Sequence, residues 1–195
     1  MANFWSKLKD FFQPEMEEEN QEDIDLSYSK PMPLDEKFVN YFVQAKGNFL
    51  YCESERELLV NLKNIKKEEQ ISRFVCFDEK LQTYLNTIGA TFIDYPSATA
   101  DFSFLTCESL VAHNGSIMLS SEVSGGRKLS DLPDNFIICA YYNQIVDQLG
   151  DGLQKILSRR RNKSMPSGIT SIGGVDANPM ENEPIKKTIY LLLLD

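Results

Sequence analysis

The sequence is poor in the residues that usually announce catalysis. Its 195 residues include one histidine, one tryptophan and four cysteines. His113 has no cysteine ligands at metal spacing, so a hydrogen-bonded structural role is the plainer reading. Cys52, Cys76, Cys107 and Cys139 are 24, 31 and 32 residues apart. No pair approaches Cys-x-x-Cys spacing, which argues against zinc or an iron–sulfur cluster within this chain. Each lies in or beside an apolar stretch, where a buried, inert thiol is expected. GxSxG, Walker A and GxGxxG motifs are absent, and no cofactor is expected. Long apolar runs are missing too. The longest, Ile189 to Leu194, is strand-sized, against the ~20 residues a membrane-spanning helix needs. Lys7 and Lys9 break what would have to be the apolar core of a secretory signal. The expectation is a cytoplasmic protein without membrane insertion, in a compartment that keeps thiols reduced.

Basic residues are scarce as well: 20 against 29 acidic ones, for a net charge of −9. Phosphate contacts need a concentrated basic footprint, so nucleic acid is not an expected partner. The charge is uneven. Residues 1–36 hold 10 acids and 3 bases, which leaves residues 37–195 nearly neutral. Phe4, Trp5, Leu8, Phe11 and Phe12 form one helical stripe that Pro14 ends. Seven acids then crowd residues 15–25 and repel one another, as a solvated linker does. The expected organisation is an amphipathic helix with an acidic linker over 1–36 and an α/β domain over 37–195. The helix is expected to dock on protein rather than lipid, because its acidic neighbours repel anionic headgroups.

From Pro33 onward the pattern alternates. Helical spacing covers Leu34 to Lys46, with Gly47 as an expected left-handed cap. Asn48 to Cys52 suggests a strand, and Ser54 with Glu57 a capping box opening a helix to about Ile65. A strand at Arg73–Phe77, a helix at Asp78–Ile88 and a short strand at Thr91–Asp94 follow. Glu108–His113 is expected as a short helix, Ser116–Ser120 and Asn135–Tyr141 as strands, and Asn143–Arg159 as a helix. A loop over about Ser164–Glu183 precedes a final strand, Lys187–Leu194. The near-continuous apolar strands predict an α/β fold, a parallel-rich sheet flanked by helices.

Two segments carry the candidate site residues. Around Asn114-Gly115-Ser116, Gly115 admits close backbone approach, and Asn114 and Ser116 offer hydrogen bonds. The loop Gly125–Pro133 adds Arg127, a planar donor suited to carboxylate or phosphate, and Ser130. A structural turn and a solvated arginine are the plainer readings of each. Arg159, Arg160, Arg161 and Lys163 complement the negative end of a helix dipole. An anion site is the alternative there.

The stretch VAHNGSIMLSSEVSGGRKLSDLPDNFIICAYYNQIVDQL resembles the signature of the LUD domain, the lactate-utilisation family. Ala112, Gly115, Arg127, Ser130, Leu132 and Pro133 fall into that frame, and Thr188–Asp195 resembles the family's closing strand. The likeness spans Phe38 to Asp195. It departs at His113, where the family carries a glutamate, and at Ser167–Gly174. The resemblance implies a fold like the ribose-5-phosphate isomerase and CoA-transferase group. It also implies an accessory role in converting lactate, or a related hydroxy acid, to pyruvate beside iron–sulfur oxidoreductase subunits. A small carboxylate or phosphate-bearing ligand would then bind Asn114, Gly115, Ser116, Arg127 and Ser130. A non-catalytic interaction module with a decayed pocket is the alternative, favoured by the carboxylate missing at His113. A CoA transferase or folate cyclo-ligase relative rests on fold analogy alone.

Overall fold

The computed structural model describes residues 32–160, 165–175 and 188–195. The aromatic helix and acidic run expected in the first 31 residues lie outside these, as do Arg161 and Lys163. Helix α1 (Leu34–Gln44) buries Phe38, Val39 and Phe42 on one side. The left-handed residue at its end is Lys46 (φ 63°), not Gly47. Gly47 is required for a different reason: a Cβ there would stand 2.3 Å from the Phe42 ring. After β1 (Asn48–Cys52), Ser54 opens α2 (Glu55–Glu68) by accepting the Glu57 N–H. Glu57 in turn accepts the Glu53 N–H at 2.9 Å, a capping box reaching one residue further back. Strand β2 (Phe74–Val75) leads to α3 (Glu79–Thr87), capped by Asp78 and left through Gly89 at φ 64°. The short β3 (Phe92–Ile93) follows.

Strands β4 (Phe102–Leu105), β7 (Phe136–Tyr141) and β10 (Ile189–Leu194) complete a six-stranded sheet in the order β1-β10-β7-β4-β2-β3. Every pairing in it is parallel. Parallel strands covered on both faces must be apolar throughout, which is why β7 and β10 are nearly continuous hydrophobic runs. One face of the sheet, including Phe74, Cys76, Phe102, Phe104, Ile137, Cys139, Leu192 and Leu194, packs under α2 and α3. The alternate residues, among them Ser103, Leu105, Ile138, Leu191 and Leu193, are equally buried. They belong to the opposite face, which the remaining elements cover.

Those elements correct three sequence expectations. Glu108–His113 is not a helix: Ser109–Val111 is strand β5, antiparallel to β6 (Ser116–Ser120). The segment is too short and too uniformly buried for periodicity to separate helix from strand. The helix expected from Asn143 starts only at Leu149. Ile145–Val146 is strand β8, parallel to β5, and α4 is Leu149–Arg159. The long loop after it holds a further strand, β9 (Ile169–Ile172), antiparallel to β6. The second sheet is therefore β8-β5-β6-β9, and α4 lies on it: a Cβ on Gly152 would meet Met118 and Ser109.

Among the described residues Ser103 is singular, fully buried with no hydrogen-bond partner for its hydroxyl. An orphaned buried hydroxyl carries its desolvation penalty without return. Ser103→Ala is expected to raise stability by about 1 kcal/mol, measured as a higher denaturant midpoint at unchanged slope. A lower midpoint would mean that the hydroxyl has a partner.

Candidate functional site

The residues Asn114, Gly115 and Ser116 form the turn of the β5–β6 hairpin. Asn114 Oδ1 accepts the Ser116 N–H at 3.1 Å, a local Asx bond that fixes the turn. Gly115 adopts φ 73°, and a Cβ there would stand 2.3 Å from the Phe42 nitrogen of α1. The close approach that glycine permits is thus made by this chain's own helix backbone. Gly174 closes the other side: its Cβ would meet Ser116 Cβ at 2.9 Å, and Val175 N–H bonds Asn114 O. Phe42, Ala45, Lys46, Gly47, Gly173 and Ile189 line a small cleft nearby with about 20 Å³ of free space, room for roughly one water and far below an ordinary ligand pocket.

Arg127 and Ser130 lie at the other end of β6. That strand advances ~3.3 Å per residue, so its ends are about 13 Å apart. The turn after it is held by the buried Ser124, whose hydroxyl donates toward Arg127 O at 2.6 Å and Ser121 O at 3.1 Å. Gly125 rests on the Phe77 ring, 2.6 Å from a Cβ placed there. Arg127 is exposed, and Ser130 is exposed on a 3-10 turn, Leu129–Asp131. The structure therefore brings Asn114, Gly115 and Ser116 together, and separates them from Arg127 and Ser130.

The Arg127 end has the better setting. Phe77 follows β2, so the Gly125 turn sits at the carboxyl edge of the parallel sheet. There β2 exits to α3 on one face while its neighbour β4 exits to β5 in the second sheet. Adjacent strands that leave to opposite sides mark the position, outside their carboxyl ends, at which open α/β sheets bind ligands. On the helix side of this edge stands a polar cluster that no sequence motif announces. Lys80 Nζ donates to Tyr141 Oη and to Glu55 Oε1, both at 2.8 Å. Tyr84 Oη donates to the same Glu55 oxygen at 2.7 Å. The ammonium lies 5.6 Å and 5.5 Å from the Tyr84 and Tyr141 ring centres. Its bond from Lys80 lowers the Glu55 pKa, and that same bond raises the Lys80 pKa. Burial, with the bond to Glu55 second, pushes Tyr84 up to about 12. The four residues come from three elements spread over 86 positions, so no local motif reveals them.

At this edge the second sheet is tied down. Glu108 accepts from Ser120 at 2.6 Å and pairs with Arg159 of α4 at 3.0 Å. Arg160 pairs with Glu122, and Gln144 donates to Cys107 O. The arginines at the end of α4 are thus engaged by acidic partners. All four cysteines are buried and unpaired, as expected. Burial holds every thiol up, Cys76 and Cys139 to about 12, which keeps them protonated and inert. No group of three metal-ligating side chains occurs among the described residues, and no helix among them is long and apolar enough to cross a membrane.

A six-stranded parallel sheet, with helices on one face and a small mixed sheet joined through β4 and β7, defines an α/β domain. Residues 92–187, just under half of the sequence, match the family model of the LUD domain, a family associated with lactate utilisation. The fold resembles the crystal structure of a DUF162 family protein from Deinococcus radiodurans. The TM-score is 0.63 at 16% identity, covering 85% of this chain and 100% of that one. Ribose 5-phosphate isomerase A from Methanocaldococcus jannaschii is a looser likeness (TM-score 0.30, 13% identity, 73% of this chain and 81% of that one), too distant to bear on the fold. No curated protein matches the sequence.

Two glycines separate packing from backbone strain. Gly126 has φ 80° and open space around it, whereas Gly115 combines positive φ with backbone contact. Gly126→Ala is expected to cost about 1 kcal/mol, and Gly115→Ala about 3 kcal/mol or more. Equal losses in chemical denaturation would show that the hairpin does not bear on α1.

Proposed function

We propose that this chain is a cytoplasmic accessory component of lactate, or related hydroxy-acid, utilisation, acting beside iron–sulfur oxidoreductase subunits in the conversion of lactate to pyruvate. The LUD-domain match over residues 92–187 carries the reading. The buried, widely separated thiols are consistent with a subunit that leaves electron transfer to its partners. The ligand is a small carboxylate, and its place is the carboxyl edge beside Arg127, whose guanidinium can meet both carboxylate oxygens. Ser130 flanks that position. Asn114, Gly115 and Ser116 serve by fixing the second sheet against α1, with their backbone groups turned to packing.

The alternative, a non-catalytic interaction module, draws support from the same turn: the family glutamate is replaced by His113, and the chain's own helix occupies the approach at Gly115. Two measurements decide between them. Lactate, pyruvate, CoA esters and nucleotides are each added in a thermal-unfolding screen. Lactate or pyruvate is expected to raise the midpoint by about 2 °C or more near saturation, and Arg127→Ala to abolish the shift. No shift with any compound, together with stable co-purification of an iron–sulfur protein that depends on Phe4, Trp5 and Phe11, would favour the interaction module.

A further inference from the structure

The cluster at the carboxyl edge already holds a carboxylate. Two donors, Lys80 Nζ at 2.8 Å and Tyr84 Oη at 2.7 Å, converge on one oxygen of Glu55. They come from consecutive turns of α3 (Lys80 and Tyr84), which fixes their spacing. Lys80 is further held by Tyr141, at the end of β7, and by the faces of two rings. The donor set therefore keeps its geometry without Glu55. Glu55 is the more weakly held member. It is the first residue of α2, its side chain is 57% exposed, and its departure would leave no buried charge behind. Glu55 follows β1, Lys80 follows β2 and Tyr141 ends β7, so the cluster lies at the carboxyl edge of the parallel sheet, the edge at which Gly125 packs on Phe77.

We propose that Lys80, Tyr84 and Tyr141 form a receptor for a small carboxylate at the carboxyl edge of the parallel sheet, with the Glu55 carboxylate occupying the ligand's place in the free protein. An incoming 2-hydroxy or 2-oxo acid displaces Glu55 into solvent and takes its two hydrogen bonds. This rests on the reading of the carboxyl edge as the ligand site, but it assigns recognition to residues outside the LUD-matched segment (Lys80 and Tyr84) as well as within it (Tyr141).

The test is calorimetric titration of the full chain with lactate, pyruvate and inorganic phosphate. The proteins compared are the wild type, Lys80→Met, Glu55→Gln and Arg127→Ala, each checked for folding by circular dichroism. Lys80→Met is expected to weaken carboxylate binding about tenfold or more, the loss that follows removal of a charged hydrogen bond. Glu55→Gln is expected to tighten it about threefold or more by removing the internal competitor. A merely structural clamp would make both substitutions weaken binding, or leave both without effect, and either result overturns the proposal. Carboxylate binding that vanishes in Arg127→Ala but survives in Lys80→Met overturns this receptor while leaving the hydroxy-acid reading intact. Lys80-dependent binding of phosphate alone would keep the cationic receptor and reject both the carboxylate and the hydroxy-acid function. No binding of any of the three to the folded wild type overturns the receptor outright, and co-purification with an iron–sulfur partner then stands alone as the measure of function.

Discussion

Strand β10 is inserted between β1 and β7, and it alone joins β1 to the rest of the parallel sheet. β10 pairs with β1 over Asn48↔Tyr190 to Cys52↔Leu194 and with β7 over Ile189↔Phe136 to Leu194↔Tyr141. Leu191, Leu192 and Leu193 are fully buried, on alternating faces. Without β10, the strand before α2 would have no neighbour, and Ser54 and Glu55 would not be brought to the same edge as Tyr141. Each buried leucine contributes roughly 2 kcal/mol of transfer free energy. The larger effect is cooperative, because both faces of the sheet close around this one strand. The parallel arrangement also gathers every strand's carboxyl end on one edge, which is what makes a functional site there geometrically natural.

The second sheet follows from that edge. β4 and β7 leave it on the side away from α2 and α3, and their continuations β5 and β8 pair with each other. Glycine then decides how closely the layers approach. Gly115 lets the hairpin turn touch the α1 backbone, Gly125 lets the next turn lie on Phe77, and Gly152 lets α4 sit on Met118. Two turns from one strand are thereby fastened at its two ends, one against α1 and one at the carboxyl edge. Only the second lies at the carboxyl edge of the parallel sheet, which is why Arg127 and the hairpin residues are proposed to carry different roles.

Much of the fold was legible because its strongest signals are local. Ser54, Asp78 and Gly89 mark helix ends by their own hydrogen bonds and backbone angles, and the runs at Phe136–Tyr141 and Ile189–Leu194 leave no choice but buried strands. Ser109–Val111 and Ile145–Val146 are strands where helices are expected, because a two- or three-residue apolar run takes its structure from the strand beside it, not from its own period. Strand order was hidden for the same reason. The candidate site was legible only by halves: Arg127 stands out by chemistry and family likeness, whereas Lys80, Glu55, Tyr84 and Tyr141 are ordinary residues of amphipathic elements until the topology brings them together.

The carboxyl edge of the parallel sheet, and not the β5–β6 hairpin turn, is the place proposed for this protein's ligand. Amide hydrogen exchange with and without saturating lactate or pyruvate tests it directly. Protection is predicted at residues 76–80, 124–127 and 141, with residues 113–116 and 173–175 unchanged. Protection confined to the hairpin turn and the Gly173-Gly174 segment would put the ligand at the other end of β6.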